Sequence, residues 1–371
     1  MTYDVAVIGG GMVGTAIAYG CAARGARTAL VDQGDLSLRA ARANAGLIYS
    51  QGKGEGMPAY AAWTRHSISL WPTFAEAMAS VSGRDIGFRQ RGVLAFCLGE
   101  EELETRRALL HRMHNQIGGP ASPVHLVDRR ELEAMLPDVR LGERVAGATY
   151  SPEDCDVNAL PLLRALYTGF LAAGGVHLPE RTVGRITTDG GGFAIVSDRD
   201  TVHADKVVVA CGLGIPTLAP MVGLHAPVHP VRGQMIVTER LAPMLPIPGS
   251  GVRQIREGVV QIGTTMEEGE SVPATSVADL ARMASRAAAV IPALSAARIV
   301  RGWAGIRPMT PDGFPIYQQS PSHPGAYVAV CHSGVTLCAA HAGPLAEAIL
   351  AGRLPDNVAD LHPDRFDVHT A

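Results

Sequence analysis

The chain opens on a short apolar run, Val5-Ala6-Val7-Ile8, then a glycine-rich break from Gly9 to Gly14, an apolar stretch to Ala23 and a third run, Thr28-Ala29-Leu30-Val31, closed by Asp32. Short apolar runs bounded by turn residues mark strands buried on both faces, and the stretch between them has the length of a helix. The pattern predicts a strand, a helix and a parallel second strand. Beyond it, Ala59 to Val81 reads as a helix, with Trp63 and Trp71 expected in the core. A strand from Gly92 to Leu98 and two charged helices, Glu100 to Asn115 and Arg129 to Met135, suggest a second domain. Asn158 to Gly174 returns to a helical pattern, Arg181 to Thr187 to a strand, and Val207 to Ala210 is a buried strand ending in Cys211-Gly212. Gly233 to Thr238 and Val259 to Gly263 are strand candidates in a second excursion. The last block, Trp303 to Gly352, holds a strand from Tyr327 to Val330 and an alanine-rich terminal helix.

Two stretches are uncharged over membrane-like lengths. Val5 to Ala23 has no basic segment before it, and its glycines sit where a phosphate loop needs them. Val207 to Leu224 contains Gly212, Gly214, Pro216 and Pro220, which break a spanning helix. With 371 residues the chain is long enough for two cored domains. Its 32 basic and 35 acidic residues give a net charge of −3, which disfavours nucleic acid as a partner. The six cysteines have no C-x-x-C spacing, and His225, His229 and His332 have no metal-ligand spacing, so reduced thiols, no metal and a cytoplasmic location are expected.

The opening unit carries the clearest chemistry. Gly9 allows a tight turn out of the first strand, Gly11 lets backbone approach a pyrophosphate, and Gly14 lets the helix pack on the strand. The helix N-terminus then offers orphan N–H groups to the phosphates. Asp32, eighteen residues after Gly14, suits a ribose diol and disfavours a 2′-phosphate, which points to NAD or FAD.

Further motifs narrow the choice. Gly9 to Gly14 with Asp32, Asn44-Ala45-Gly46-Leu47, Ala210-Cys211-Gly212, the run from Trp303 to Pro315 and His332-Ser333-Gly334 resemble the DAO family of flavin amine oxidoreductases, typified by glycine oxidase and D-amino-acid oxidase. Asp35 to Asn44 and Ser50-Gln51-Gly52-Lys53-Gly54 are similar to the flavoprotein β subunits of heteromeric opine and D-hydroxyproline dehydrogenases. The resemblance covers nearly the whole chain. It implies an α/β fold with a Rossmann-type FAD domain assembled from residues 1–85, 151–225 and 300–371. An inserted antiparallel substrate domain would comprise 86–150 and 226–299. It further implies oxidation of an amino-acid-like secondary amine, with additional electron-transfer subunits as partners.

Non-covalent FAD contacts are then expected at Gly9, Gly11, Met12, Val13 and Gly14, and at Asp32 and Gln33. Arg39, Ala40 and Ala41, followed by Asn44, Ala45, Gly46 and Leu47, are expected along the flavin. Val183, Cys211 and Gly212, then Gly305 and Ile306, continue the set. Ser333, Gly334, Val335, Thr336 and Leu337 precede the last helix, whose N-terminal potential would stabilise charge gained at the flavin N1 and O2 edge; capping that helix is a second job for the same donors. Arg307 and His332 belong to the expected FAD contacts as well and are the catalytic candidates. Taken alone, an arginine between Ile306 and Pro308 fits a buried ion pair; the resemblance favours a carboxylate fork that aligns the α-carbon with flavin N5. Arg253, Gln254 and Gln51 are pocket candidates, although polar strand residues more often face solvent. Lys53 lies in a glycine-flanked loop beside the flavin or a partner protein.

Departures from the family pattern bear on substrate. The roof-strand tyrosine of glycine oxidase is replaced near Gly251 to Gln254, and the second pocket arginine has no counterpart between His332 and Gly334. No cysteine stands near the Trp303 motif for covalent flavin attachment. Three other readings stay open: an NAD-dependent dehydrogenase, a peroxide-producing D-amino-acid or glycine oxidase, and an FAD-holding electron-transfer subunit without its own substrate site.

Overall fold

A computed structural model describes residues 2–34 and 40–367; Arg39 and the stretch 35–38 before it lie outside them. Strand Thr2–Ile8 pairs in parallel with Thr28–Val31 on one side and Thr201–Val209 on the other. The parallel sheet extends through Val176–Leu178 at one end and Ala326–Val330 at the other, where Ile316–Gln319 joins antiparallel. A hairpin, Val183–Asp189 with Gly192–Ser197, hangs from Thr201–Val209 and completes eight strands. Val5 and Val7 pack against helix Met12–Ala22, whereas Ala6 and Ile8 pack on the opposite face with Phe193, Ile195 and Ile215. Apolar side chains therefore enter cores on both faces, which explains the unbroken apolar runs.

The second architecture is antiparallel. Val252–Gln254, Val259–Gly263, His229–Arg240, Glu267–Glu268 and Ile299–Met309 form five strands, and Val93–Leu98, Val145–Ser151 and His125–Asp128 form three. Leu94, Phe96 and Val145 share one core with Ile236, Val260, Ile262 and helix Val277–Val290.

Most predicted elements appear, including helix Pro58–Ser82 with Trp63 and Trp71 buried. Two differ instructively. The first part of the Trp303 motif, to Met309, lies in an 11-residue strand, Ile299–Met309, of the five-stranded antiparallel sheet. Its alternation is concealed by Gly302, Gly305 and Pro308. The terminal helix is interrupted: Gly343 leaves helical geometry at φ −92, ψ −109 and Pro344 follows. Its first helical stretch is only Cys338–Ala340, so the aligned dipole expected behind residues 332–337 is short. No helix among the described residues is long and apolar enough to cross a membrane.

Candidate active site

Backbone geometry builds the nucleotide end. Gly9 has φ +114, and a Cβ there would lie 2.5 Å from the Ala210 carbonyl oxygen; one on Gly14 would lie 2.0 Å from that of Gly9. Gly11 faces open space instead. Helix Met12–Ala22 starts there without a side-chain cap and without an acid in its first turn, leaving donors for an anion. Asp32 follows the second strand; its Oδ2 accepts from Gly10 N at 2.6 Å and its Oδ1 from Gly34 N at 2.8 Å. Tyr167 Oη donates to the Gly10 carbonyl at 2.8 Å. The loop and its acid are held in one shape.

A cleft of about 190 Å³ opens where the two architectures meet. Ala40, Ala43, Asn44, Ala45 and Leu47 line it on one side, Gly305 and Arg307 on another, and His332, Ser333, Val335 and Thr336 on a third. Tyr49, Lys53, Gly233 and Thr264 complete the wall, so no carboxylate side chain lines it among the described residues. Long-helix side chains fix the third side: Trp71 Nε1 and Ser67 Oγ donate to the Thr336 carbonyl at 3.0 and 2.8 Å. Leu337 N and Cys338 N bond back to Ser333 and Val335, whereas Gly334, Val335 and Thr336 N–H groups have no backbone acceptor among the described residues. These three are orphan donors beside the cleft.

Arg307 rises from the five-stranded sheet over Gly233, where a Cβ would stand 2.3 Å from its guanidinium. Nη1 donates to the Thr265 carbonyl at 3.1 Å and Nη2 to Thr264 Oγ1 at 2.8 Å, and no carboxylate pairs with it among the described residues. Burial lowers its pKa somewhat, with the Glu267 charge opposing. His332 lies 3.4 Å through Nε2 from Lys53 Nζ and 3.2 Å from Ser333 Oγ. Burial, then the charges of Lys53 and Arg307, push His332 well below its ordinary value, so its imidazole is neutral at pH 7. Lys53 Nζ also donates to Ser333 Oγ and to Tyr60 Oη at 3.3 Å.

A model of the DAO family, FAD dependent oxidoreductase, matches residues 4–348. The chain belongs to the DAO family. This DAO-family chain is 40% identical over 370 residues to the B subunit of opine oxidase from Agrobacterium tumefaciens (strain Ach5), covering 99% of both. Over 341 residues it is 30% identical to glycine oxidase of Geobacillus kaustophilus (strain HTA426), covering 89% of this chain and 88% of the relative. The crystal structure of glycine oxidase from Geobacillus kaustophilus superposes with a TM-score of 0.87 at 28% identity, covering 97% of this chain and 98% of that one. The chain is an FAD-dependent oxidoreductase. Its residues fit the cofactor: the uncapped helix at Gly11 suits the pyrophosphate, Asp32 the ribose, and the orphan N–H groups of residues 334–336 the flavin edge.

Several expected positions of this DAO-family protein lie elsewhere than the cleft. Arg253 is an ion-pair partner: Nη1 reaches Asp156 Oδ2 at 3.1 Å and the Val157 carbonyl at 2.8 Å, and burial pulls its pKa down to about 10. Gln254 accepts from Met244 N at 2.7 Å and donates to the Ala242 carbonyl at 2.9 Å. Gln51 donates to the Val93 carbonyl at 2.8 Å and accepts from Thr149 Oγ1 at 2.6 Å. All three are buried within the protein framework, neither facing the cleft nor facing solvent. Their polarity satisfies loop and strand groups that would otherwise be buried without partners. Val183 opens the hairpin and packs against the core that holds Ala6, Ile8 and Phe193. Cys211 abuts Gly9, and Gly212, with φ +59, lies near Pro308. Sequence reasoning missed Tyr49, Gly233 and Thr264. Lys53 carried a signal in its flanking Gly52 and Gly54, with φ +80 and +79, which shape the turn that turns it inward.

Proposed function

We propose that this chain oxidises the amine carbon of an amino-acid-like secondary amine, an opine or cis-4-hydroxy-D-proline, to an imine that water then hydrolyses. The observation carrying this reading is Arg307, a cation in the cleft wall held by neutral oxygens with no carboxylate of the described protein against it. FAD, when bound, supplies the chemistry by accepting a hydride from the substrate carbon. Arg307 orients that carbon by a bidentate grip on the adjacent carboxylate. The positive potential of Arg307 and Lys53 disfavours an ammonium, so the cleft selects the neutral amine. Neutral His332 adds no charge of its own.

In this reading residues 1–85, 151–225 and 310–371 hold the cofactor while 86–150 and 226–309 roof the substrate, the expected boundary at 300 moving because strand Ile299–Met309 pairs within the antiparallel sheet. Electrons leave through further subunits in the cytoplasm, a proposal supported by similarity to a relative that is itself one subunit of an opine oxidase. Anaerobic mixing of the holoenzyme with opines, proline analogues and D-amino acids tests it: flavin bleaching by a secondary amine is expected. Absence of bleaching by every carboxylated amine overturns it, and rapid peroxide formation in air favours an oxidase. Because no cysteine lines the cleft among the described residues, acid precipitation should release the flavin. A yellow pellet refutes non-covalent binding.

A further inference from the structure

Lys53 is, with Arg307, one of two cations lining the cleft among the described residues. Its three polar neighbours, Ser333 Oγ, Tyr60 Oη and His332 Nε2, are all neutral acceptors. Nearby acids are engaged elsewhere: Glu55 with Arg112, Glu153 with Arg65 at 2.9 Å, and Asp154 with Ser50 Oγ at 2.6 Å. A partly buried ammonium with acceptors but no counter-charge attracts an anion more strongly than a solvated lysine does. Lys53 Nζ lies 3.4 Å from His332 Nε2, and Arg307 shares the wall of the same cleft with both. Among the described residues the cleft thus has two positive groups and no acid in its wall.

We propose that Lys53 is a specificity-determining residue that takes a second carboxylate, so that the preferred substrate is a secondary amine carrying one carboxylate on each carbon arm. Resting on the reading of Arg307 as anchor of the first carboxylate, it assigns the second arm to the loop between Gly52 and Gly54. A monocarboxylated amine leaves Lys53 without a counter-charge and loses that interaction.

The test compares two non-oxidisable ethers, diglycolate with two carboxylates and methoxyacetate with one, titrated into the holoenzyme by flavin absorbance. Wild type should bind diglycolate more tightly. Lys53→Met should weaken diglycolate by about ten-fold or more, the scale of a lost hydrogen bond to a charged group, and change methoxyacetate less than two-fold. Lys53→Arg should restore part of the preference, with flavin content and Tm unchanged in both variants. Equal weakening of both ligands, no weakening of either, or loss of flavin in both variants overturns the assignment. Arg307→Ala separates the two readings: it should weaken both ethers. If it weakens neither, the Arg307 anchor fails, and the assignment of Lys53 fails with it; if Arg307→Ala weakens both while Lys53→Met weakens neither, only Lys53 is refuted.

Discussion

Arg253 and Arg307 both rise from the five-stranded sheet, yet the first meets Asp156 at 3.1 Å and the carbonyls of Gly46 and Val157, whereas the second meets only the neutral oxygens of Thr264 and Thr265. Residue type and strand context are similar, with Arg253 buried and Arg307 half-buried. What differs is direct pairing: the strand pair Leu47–Ile48 and Cys155–Asp156 delivers a carboxylate into contact with Arg253, whereas Glu267, paired with Arg232, acts on Arg307 only at longer range among the described residues. A buried arginine with its counter-ion built in ties strands together, and one without it is poised for an anion from outside.

The largest effect should come from removing the closed arginine. Arg253→Met deprives the Gly46 and Val157 carbonyls and Gln261 of their donors, while Arg89 still holds Asp156 at 2.6 Å and limits the damage. A loss of roughly 3 kcal/mol in denaturant unfolding is expected. A change below about 0.5 kcal/mol, the range of ordinary surface substitutions, would erase the distinction.

Arg307→Ala should do the opposite, sparing stability and flavin content while lowering kcat/KM by about ten- to a hundred-fold, roughly 1.5 to 3 kcal/mol. Arg307→Lys should recover only part, since the ammonium lacks the planar fork. Flavin reduction at wild-type rates in the alanine variant would show that the open arginine holds no substrate.

The two histidines sharpen the contrast on a pH axis. His332 faces the cleft cations, whereas His341 is sealed, with Nε2 2.7 Å from Tyr317 Oη, and burial pushes it down to about 3. Its folded pKa lies below the unfolded value of about 6.5, so acidification protonates the unfolded chain first and stability falls below that pH. Between pH 6.5 and 5 His341 should cost about 2 kcal/mol, at about 1.4 kcal/mol per pH unit. Asp154, raised to about 6 mainly by burial, takes up a proton in the folded state and opposes this trend. His341→Gln keeps a partner for Tyr317 and does not titrate, so unfolding at pH 7.5 and 5 should show a loss smaller by that amount. An unchanged loss would mean that His341 titrates normally.

The smallest expected effect is at Gly233. An alanine Cβ would press on the Arg307 guanidinium at 2.3 Å, and the flexible arginine tip would shift. Up to about a ten-fold fall in kcat/KM with Tm near wild type is expected, because misplacing an anchor affects alignment more than folding. A large Tm fall with normal kinetics would assign the glycine to packing.

The nucleotide end was readable from the sequence because its demands are local: Gly9, Gly11 and Gly14 occur where backbone must turn or approach, within six residues of one another. Arg307, His332 and the segment 333–336 were reached through resemblance, and the structure brings them to one cleft. Arg253 and Gln51 lie away from the cleft because partners such as Asp156 and Val93 come from distant segments that no periodicity connects, and Gln254 because it ties down the irregular loop around Ala242 and Met244 just before its strand. The strand Ile299–Met309 hid behind its glycines and proline. Lys53 showed only as a charge between glycines; its inward direction depends on Ser333, 280 positions away.

The double tether of Asp32 constrains how this protein can change over evolutionary time. One carboxylate, placed where it suits a ribose, is also the clasp joining Gly10 to Gly34. A lineage drifting toward a 2′-phosphorylated nucleotide could not simply trade that acid for a neutral residue, because the same substitution would loosen the phosphate loop. Two loops would have to be rebuilt together. Nucleotide preference in this chain is therefore conservative by construction, while the side-chain-built cleft at the other end is left open to diversify.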